Sequence, residues 1–165
     1  MITHIFGNPQ DSNYQTKYDD YISQIRYLAS TDISSPLTSQ ELPNALIESI
    51  PYLPAAEVQL LQDLNLTSSA VNSIMSGSDN EKIVNLQYML MLATCLNMLP
   101  QLIQISSEKT GEVDIDYVKV AFAEKEEYWK NSYTSSIVII NPSTPTTQSG
   151  TININIAQTR SRVND

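Results

Sequence analysis

The chain has one histidine, one cysteine and four glycines in 165 residues, and these shortages exclude most catalytic architectures. His4 stands alone, so no histidine pair and no Cys–His arrangement exists. No GxxxxGK[ST] or GxGxxG motif and no Cys–His metal spacing occurs, and so few glycines cannot build a phosphate-cradling loop of the usual kind. A single cysteine, Cys95, forbids an intrachain disulfide. It lies in an apolar run, where a thiol behaves as a small hydrophobe, and a reducing compartment is expected. Positive charge is scarce as well. Nine Lys and Arg face eighteen Asp and Glu, a net charge of −9, so the basic face of a duplex-DNA reader is missing. Between Tyr27 and Glu81 there is no Lys or Arg, while Asp32, Glu41, Glu48, Glu57, Asp63, Asp79 and Glu81 are acidic. That stretch reads either as a solvated acidic face or as a surface that repels phosphate or meets a basic partner. The opening "MITHIFGNPQD" has no basic start and no apolar h-region, so no secretory signal is expected.

What is present is a helical pattern with 41% hydrophobic residues, enough for one domain with a modest core. Residues 1–17 read as an N-terminal arm. Tyr18, Ile22, Ile25 and Leu28–Ala29 recur at helical spacing. Thr38 or Ser39 is placed to cap a brief turn ahead of Glu41 and Leu42, and residues 43–52 allow one or two helical turns. Pro54 suits a first helical turn. The spacing of Ala55, Val58, Leu61 and Leu64, widened by Leu60, predicts an amphipathic helix with Glu57, Gln59, Gln62 and Asp63 mostly outside. "SSAVNSIMSG" predicts a short helix ending at Gly77, after which Ser78 or Asp79 caps a long central helix. The run "IVNLQYMLMLATCLNMLPQLIQI", residues 83–105, is uncharged. Its Asn, Gln and Thr residues and Pro100 are costly in lipid, so it reads as the most buried helix of a soluble bundle, not a membrane span. A last helix follows a polar turn, capped by Asp114 or Asp116, with Val118, Ala121–Phe122 and Tyr128–Trp129 inward. Trp129 reads as a core or rim residue.

The composition changes after Tyr133. "SSIVIIN", 135–141, is β-branched, and "TININIA", 151–157, alternates polar residues with Ile152, Ile154 and Ile156. The fold expected is therefore mainly α: a helical bundle over 18–133, with a β-strand or hairpin extension over 134–165. An isolated hairpin is marginal in water. Its dry face is expected either to be covered by another chain or to order only through pairing within this one.

Carboxylates do not converge on a substrate. Glu124, Glu126 and Glu127 read as a solvated face. Glu112, Asp114 and Asp116 offer a possible metal-assisted enzyme site but lack the full EF-hand pattern, and capping and turn polarity account for them. No catalytic residue, cofactor or resident metal is expected.

The stretch "RYLASTDISSPLTSQELPNALIESIPYLPAAEVQLL" resembles the opening of the helical head–tail adaptor (head-completion or connector) proteins of tailed phages. Leu42-Pro43 with Ile47 matches that family's turn. Tyr52-Leu53-Pro54-Ala55-Ala56-Glu57 matches the start of its first long helix, apart from Pro54. "LATCLNMLPQLI" resembles the end of the second long helix, and "ISSEKTGEVDIDYV" the loop before the last. The resemblance spans roughly residues 26–133 and gives no template for the N-terminal arm or the β-rich tail.

It implies a structural virion protein of the neck, made in the host cytoplasm. The copies would form a ring, commonly of twelve, below the portal protein, extending the DNA channel and joining capsid to tail or neck proteins. Genomic DNA would pass without sequence-specific binding. Docking to the portal through a C-terminal extension falls on Ile152, Ile154 and Ile156, with Arg160 and Arg162 meeting an acidic surface. Glu48, Glu57 and Asp63 are the acidic residues expected to face the channel and repel phosphate. The alternative is a small helical interaction module, a regulator or chaperone, whose C-terminal strand pairs with one partner.

Overall fold

Helix ends are set by short polar residues and prolines. The computed structural model describes residues 10–32, 34–109 and 115–142, and every described element is a helix. These are α1 (Tyr14–Ala29), α2 (Asn44–Ile47), α3 (Leu53–Leu64), α4 (Ser68–Met75), α5 (Asn80–Asn97), α6 (Leu99–Lys109) and α7 (Ile115–Ile140). The Thr67 hydroxyl accepts from Ala70 N–H at 3.2 Å, and the Asp79 carboxylate accepts from Lys82 N–H at 3.2 Å, so these two residues cap α4 and α5. Thr38 and Glu41 form a reciprocal capping box: Thr38 N–H donates to Glu41 Oε2 at 2.7 Å, and Glu41 N–H donates to Thr38 Oγ1 at 3.3 Å. Pro54 occupies the first turn of α3 as expected. At the other end Asn65 adopts a left-handed backbone (φ 51°), and Leu66 N–H reaches back to Leu61 O at 3.0 Å. That six-to-one bond closes α3 in a Schellman turn.

Helix α5 is the axis of the bundle. It packs most heavily on α7 and next on α3, with α1, α4 and α6 also against it. Leu86 and every residue from Met89 to Cys95 are buried. The mainly α expectation holds for the described residues, including a capped, deeply buried central helix.

Four local expectations change. The uncharged run 83–105 is two helices, not one. Pro100 has no N–H to offer Leu96 O and sits in the first turn of α6, where that N–H has no intrahelical partner, and the chain turns by 71° between α5 and α6 at Met98. No single described helix is long and apolar enough to cross a membrane. Helix α1 begins at Tyr14, within the expected arm, because the Tyr14 ring stacks on Tyr18 one turn later at 6.3 Å.

Helix α3 is rotated relative to the predicted stripe. Leu53, Ala56, Glu57, Leu60, Asp63 and Leu64 face inward, and Val58 is 55% exposed. Both phases share Leu60 and Leu64; the observed one adds Leu53 and Ala56 and turns Val58 outward.

Residues 135–140, expected as a strand, continue α7 without interruption. Trp129, Tyr133, Ser136 and Ile140 are buried at helical spacing. Helix propensity disfavours Ile137-Val138-Ile139-Ile140 by about 2 kcal/mol in total. Burying Ile140 and part of Ile137 against the bundle offsets this at about 1.5–3 kcal/mol for a fully buried aliphatic side chain. The bundle therefore runs to Ile140 rather than ending at 133, and the hairpin partner read over 135–141 is not a strand. The second strand, 151–157, lies outside the described residues, as do residues 1–9 of the arm.

A helix separates Val138 from Ile140, whereas a strand would put both on one face. Ile140→Ala is therefore expected to cost about 2–4 kcal/mol in urea unfolding, and Val138→Ala less than about 1 kcal/mol. Equal costs at the two positions would contradict the helical assignment.

Candidate functional site

The three acidic residues expected to face a channel separate by burial. Glu48 follows α2 and is exposed, and the Tyr18 hydroxyl donates to its carboxylate. Burial first, and then that contact, pushes the Tyr18 phenol well above its ordinary range. Glu57 and Asp63 are only 7% and 8% exposed. They lie on the inner side of α3, against their own chain, so neither belongs to an open acidic face. Their placement follows from the leucine phase of the helix, since Leu53, Leu60 and Leu64 carry them inward.

Asp63 is held by Tyr133, whose hydroxyl donates to Oδ2 at 2.8 Å across the α3–α7 contact. Burial raises the Asp63 carboxyl above its ordinary 3.8, and the bonds from Tyr133 and Gln59 pull it partly back. Burial, then the adjoining carboxylate, pushes the Tyr133 phenol far up. Nearby, Ser136 Oγ donates to Asn85 Oδ1 at 3.0 Å and Asn141 Nδ2 donates to Leu64 O at 3.1 Å. One stripe of α7 is thus fastened to α3 and α5 by polar bonds as well as by packing.

Other reactive groups are restrained. Burial pushes the Cys95 thiol up to about 12, which keeps it protonated and a poor nucleophile. Lys125 donates from Nζ to Leu28 O at 3.3 Å and sits 5.8 Å from the Trp129 ring centroid. Burial lowers its pKa. Trp129 itself is 1% exposed, a core residue as expected. Among the described residues no group of three His, Cys, Asp or Glu side chains is placed to hold a metal ion. Of the acidic set considered for metal chemistry, Asp116 is exposed in the first turn of α7, and Glu112 and Asp114 lie outside the described residues.

The surface offers contact area more readily than chemistry. On α7, Tyr117, Val120 and Tyr128 are 69%, 59% and 59% exposed. Tyr88 donates to the Tyr128 hydroxyl at 3.4 Å. Bonds from Tyr88 and Ser132 draw the Tyr128 phenol down, while burial, and then donation to Tyr128, pushes Tyr88 up to about 12. On the outer side of α3, Ile50, Pro54, Ala55, Val58, Gln59 and Gln62 line a shallow open depression of about 400 Å³. Sequence reading missed this surface because it assigned Ala55 and Val58 to the core. The expected docking residues Ile152, Ile154, Ile156, Arg160 and Arg162 lie outside the described residues.

Because its folded-state pKa is raised, Asp63 contributes most to stability below its ordinary 3.8. That contribution is lost as pH rises through the folded value. Urea midpoints measured from about pH 3.5 to 7 are therefore expected to fall for the native chain relative to Asp63→Asn. Tyr133→Phe, which removes a bond to the carboxylate, is expected to steepen that fall and to cost about 1–3 kcal/mol at neutral pH. Parallel profiles for the native chain and Asp63→Asn would show that Asp63 is not buried as described. In comparisons with known proteins, no family model, curated protein or solved structure matches this chain.

Proposed function

We propose that this chain is a non-enzymatic structural protein of a tailed-phage neck, a head–tail adaptor that works as a homo-oligomeric ring below the portal. The observation that carries the reading is the order of the motifs. Leu42-Pro43 with Ile47, Tyr52 to Glu57, "LATCLNMLPQLI" and "ISSEKTGEVDIDYV" follow one another as they do in the adaptor proteins. In this chain they fall on α2, the start of α3, the α5–α6 turn, and the α6–α7 connection.

Three physical features support it. The buried residues of the described helices form one core cluster that includes much of α5. Tyr117, Val120 and Tyr128 give α7 an outward face with aromatic and aliphatic contact area. A ring repeats a modest contact many times, so weak individual interfaces suffice for a stable assembly. In this reading Ile152, Ile154 and Ile156 dock on the portal, where backbone bonds give affinity and alternate side chains give register, and Arg160 and Arg162 meet acidic groups. Of the acidic residues considered for the channel, Glu48 keeps that role, since its carboxylate is at the surface. A negative group repeated around a ring repels the phosphates of passing DNA.

The test replaces the native chain with Ile152→Ser/Ile154→Ser/Ile156→Ser during particle assembly and counts tailed particles by electron microscopy. Filled heads without tails, lacking the variant chain, are expected. Tailed particles at the native level, or native particles that never contain this chain, would overturn the reading. Glu48→Lys is expected to leave tailed particles intact but slow DNA ejection, measured as phage DNA released over time.

A further inference from the structure

Of the ten large hydrophobic residues exposed among the described residues, five stand on one side of α7: Tyr117, Val120, Tyr128, Val138 and Ile139. Glu124, Asn131 and Ser135 are exposed between them. From 117 to 138 these positions recur every three or four residues, so they share a band about 100° wide along about 32 Å of helix axis. Spacing of this kind is the seam along which two long helices pack at a small angle. The aromatic residue at its middle is tethered, since Tyr88 on α5 donates to the Tyr128 hydroxyl at 3.4 Å. A ring held by its far end and open on its face loses little freedom when something packs on it.

The stripe complements itself. A second copy laid antiparallel, with a two-fold axis beside Tyr128, sets Tyr117 against Val138 of the other copy, Val120 against Ser135 and Glu124 against Asn131, each pair occurring twice. Tyr117 and Val138 close the two ends with an apolar contact. Ser135 returns its hydroxyl to Asn131 O at 2.9 Å, so it presents a small surface to Val120 and needs no bond across the contact. The Asn131 amide donates to the Glu124 carboxylate, a charge-assisted bond that fixes one register. A parallel pair would set the two Glu124 carboxylates face to face, so charge selects the antiparallel arrangement. The area is sufficient as well. The five hydrophobic residues are 38% to 69% exposed, and at about 200 Å² for a whole Tyr they offer about 500 Å² per copy. A standard interface takes roughly 800 Å² from each partner, somewhat over half of it apolar.

We propose that the free chain forms a two-fold dimer in which the α7 stripes of two copies pack antiparallel, with Tyr128 at the axis and Glu124 of each copy bonded to Asn131 of the other. The pairing takes the exposed apolar band of α7 out of water. A ring closes through head-to-tail contacts, so the two-fold dimer is a separate state of the chain and does not rest on the neck reading.

The test weighs the full chain by analytical ultracentrifugation from micromolar to millimolar concentration. A shift from the mass of one chain to that of two is expected. Tyr128→Glu, which puts two carboxylates at the axis, is expected to weaken the dimer by more than about 30-fold, as at an interface hot spot. Asn131→Glu, at an exposed position outside the core, sets a like charge against Glu124 and is expected to weaken it by about tenfold or more, whereas Asn131→Lys tightens it. Register is read by oxidation, for which Cys95 is buried and protonated and does not compete. Chains carrying Tyr117→Cys should link to chains carrying Val138→Cys, and Tyr117→Cys alone should not link to itself. A chain that keeps the mass of one copy throughout overturns the proposal, as does a ring in place of the dimer. A dimer unmoved by Asn131→Glu, or one in which Tyr117→Cys links to itself, overturns it too. Tail attachment in particles is read separately, so failure here and failure of the neck reading are distinguishable.

Discussion

Helix α5 has no solvent side over two turns of its second half. From Met89 to Cys95 each residue is buried, and Leu86 joins them one turn earlier. A helix that is dry on every face must be surrounded, and the placement of the other elements follows from that requirement. Helix α7 covers one side and α3 another, while α1, α4 and α6 close the remaining gaps. Pro100 makes this possible. The 71° turn it introduces lets the same apolar run serve first as the axis and then as part of the wall. Removing the turn would drive α6 straight past its packing partners on α7.

The same wrapping fixes where polar groups go. Thr94, buried on α5, returns its hydroxyl to Leu90 O at 2.7 Å within its own helix. Asp63 is carried inward by the leucines around it and meets the Tyr133 hydroxyl. Lys125 lays its stem across Trp129 and delivers its ammonium to the end of α1 at Leu28 O. At the far end of α6, Lys109 reaches Ser35 O at 3.2 Å and Glu41 at 3.5 Å, tying the loop after α1 to the wall. The Thr94 and Asp63 bonds lie where packing has excluded water, whereas those of Lys109 lie at the surface. Unmet, such groups cost more than the bonds return in net stability.

The bundle's thiol is buried and protonated, and its buried carboxylates are engaged by their own fold. Surfaces remain: the aromatic face of α7, the depression on α3, and the carboxylate of Glu48. These suit a protein whose work is contact. On the neck-adaptor reading the terminal isoleucines make the decisive contact with the portal.

Much of this is written in local sequence. Pro54, Thr67, Asp79 and the Thr38–Glu41 pair mark helix ends through bonds that span only three or four residues, so their effect is visible without the fold. The buried character of α5 is equally plain in its uncharged run. Two features were decided only by tertiary packing. Ile137 to Ile140 carry strand-forming side chains, yet they continue a helix because Trp129, Tyr133 and Ser136 already define a stripe that Ile140 completes. On α3 the periodicity admits two phases. The surrounding helices chose the one that buries Leu53, Leu60 and Leu64, turning Asp63 inward and Val58 outward. Local bonds are fixed by neighbours in sequence, whereas the burial of a face depends on which other surfaces are there to cover it.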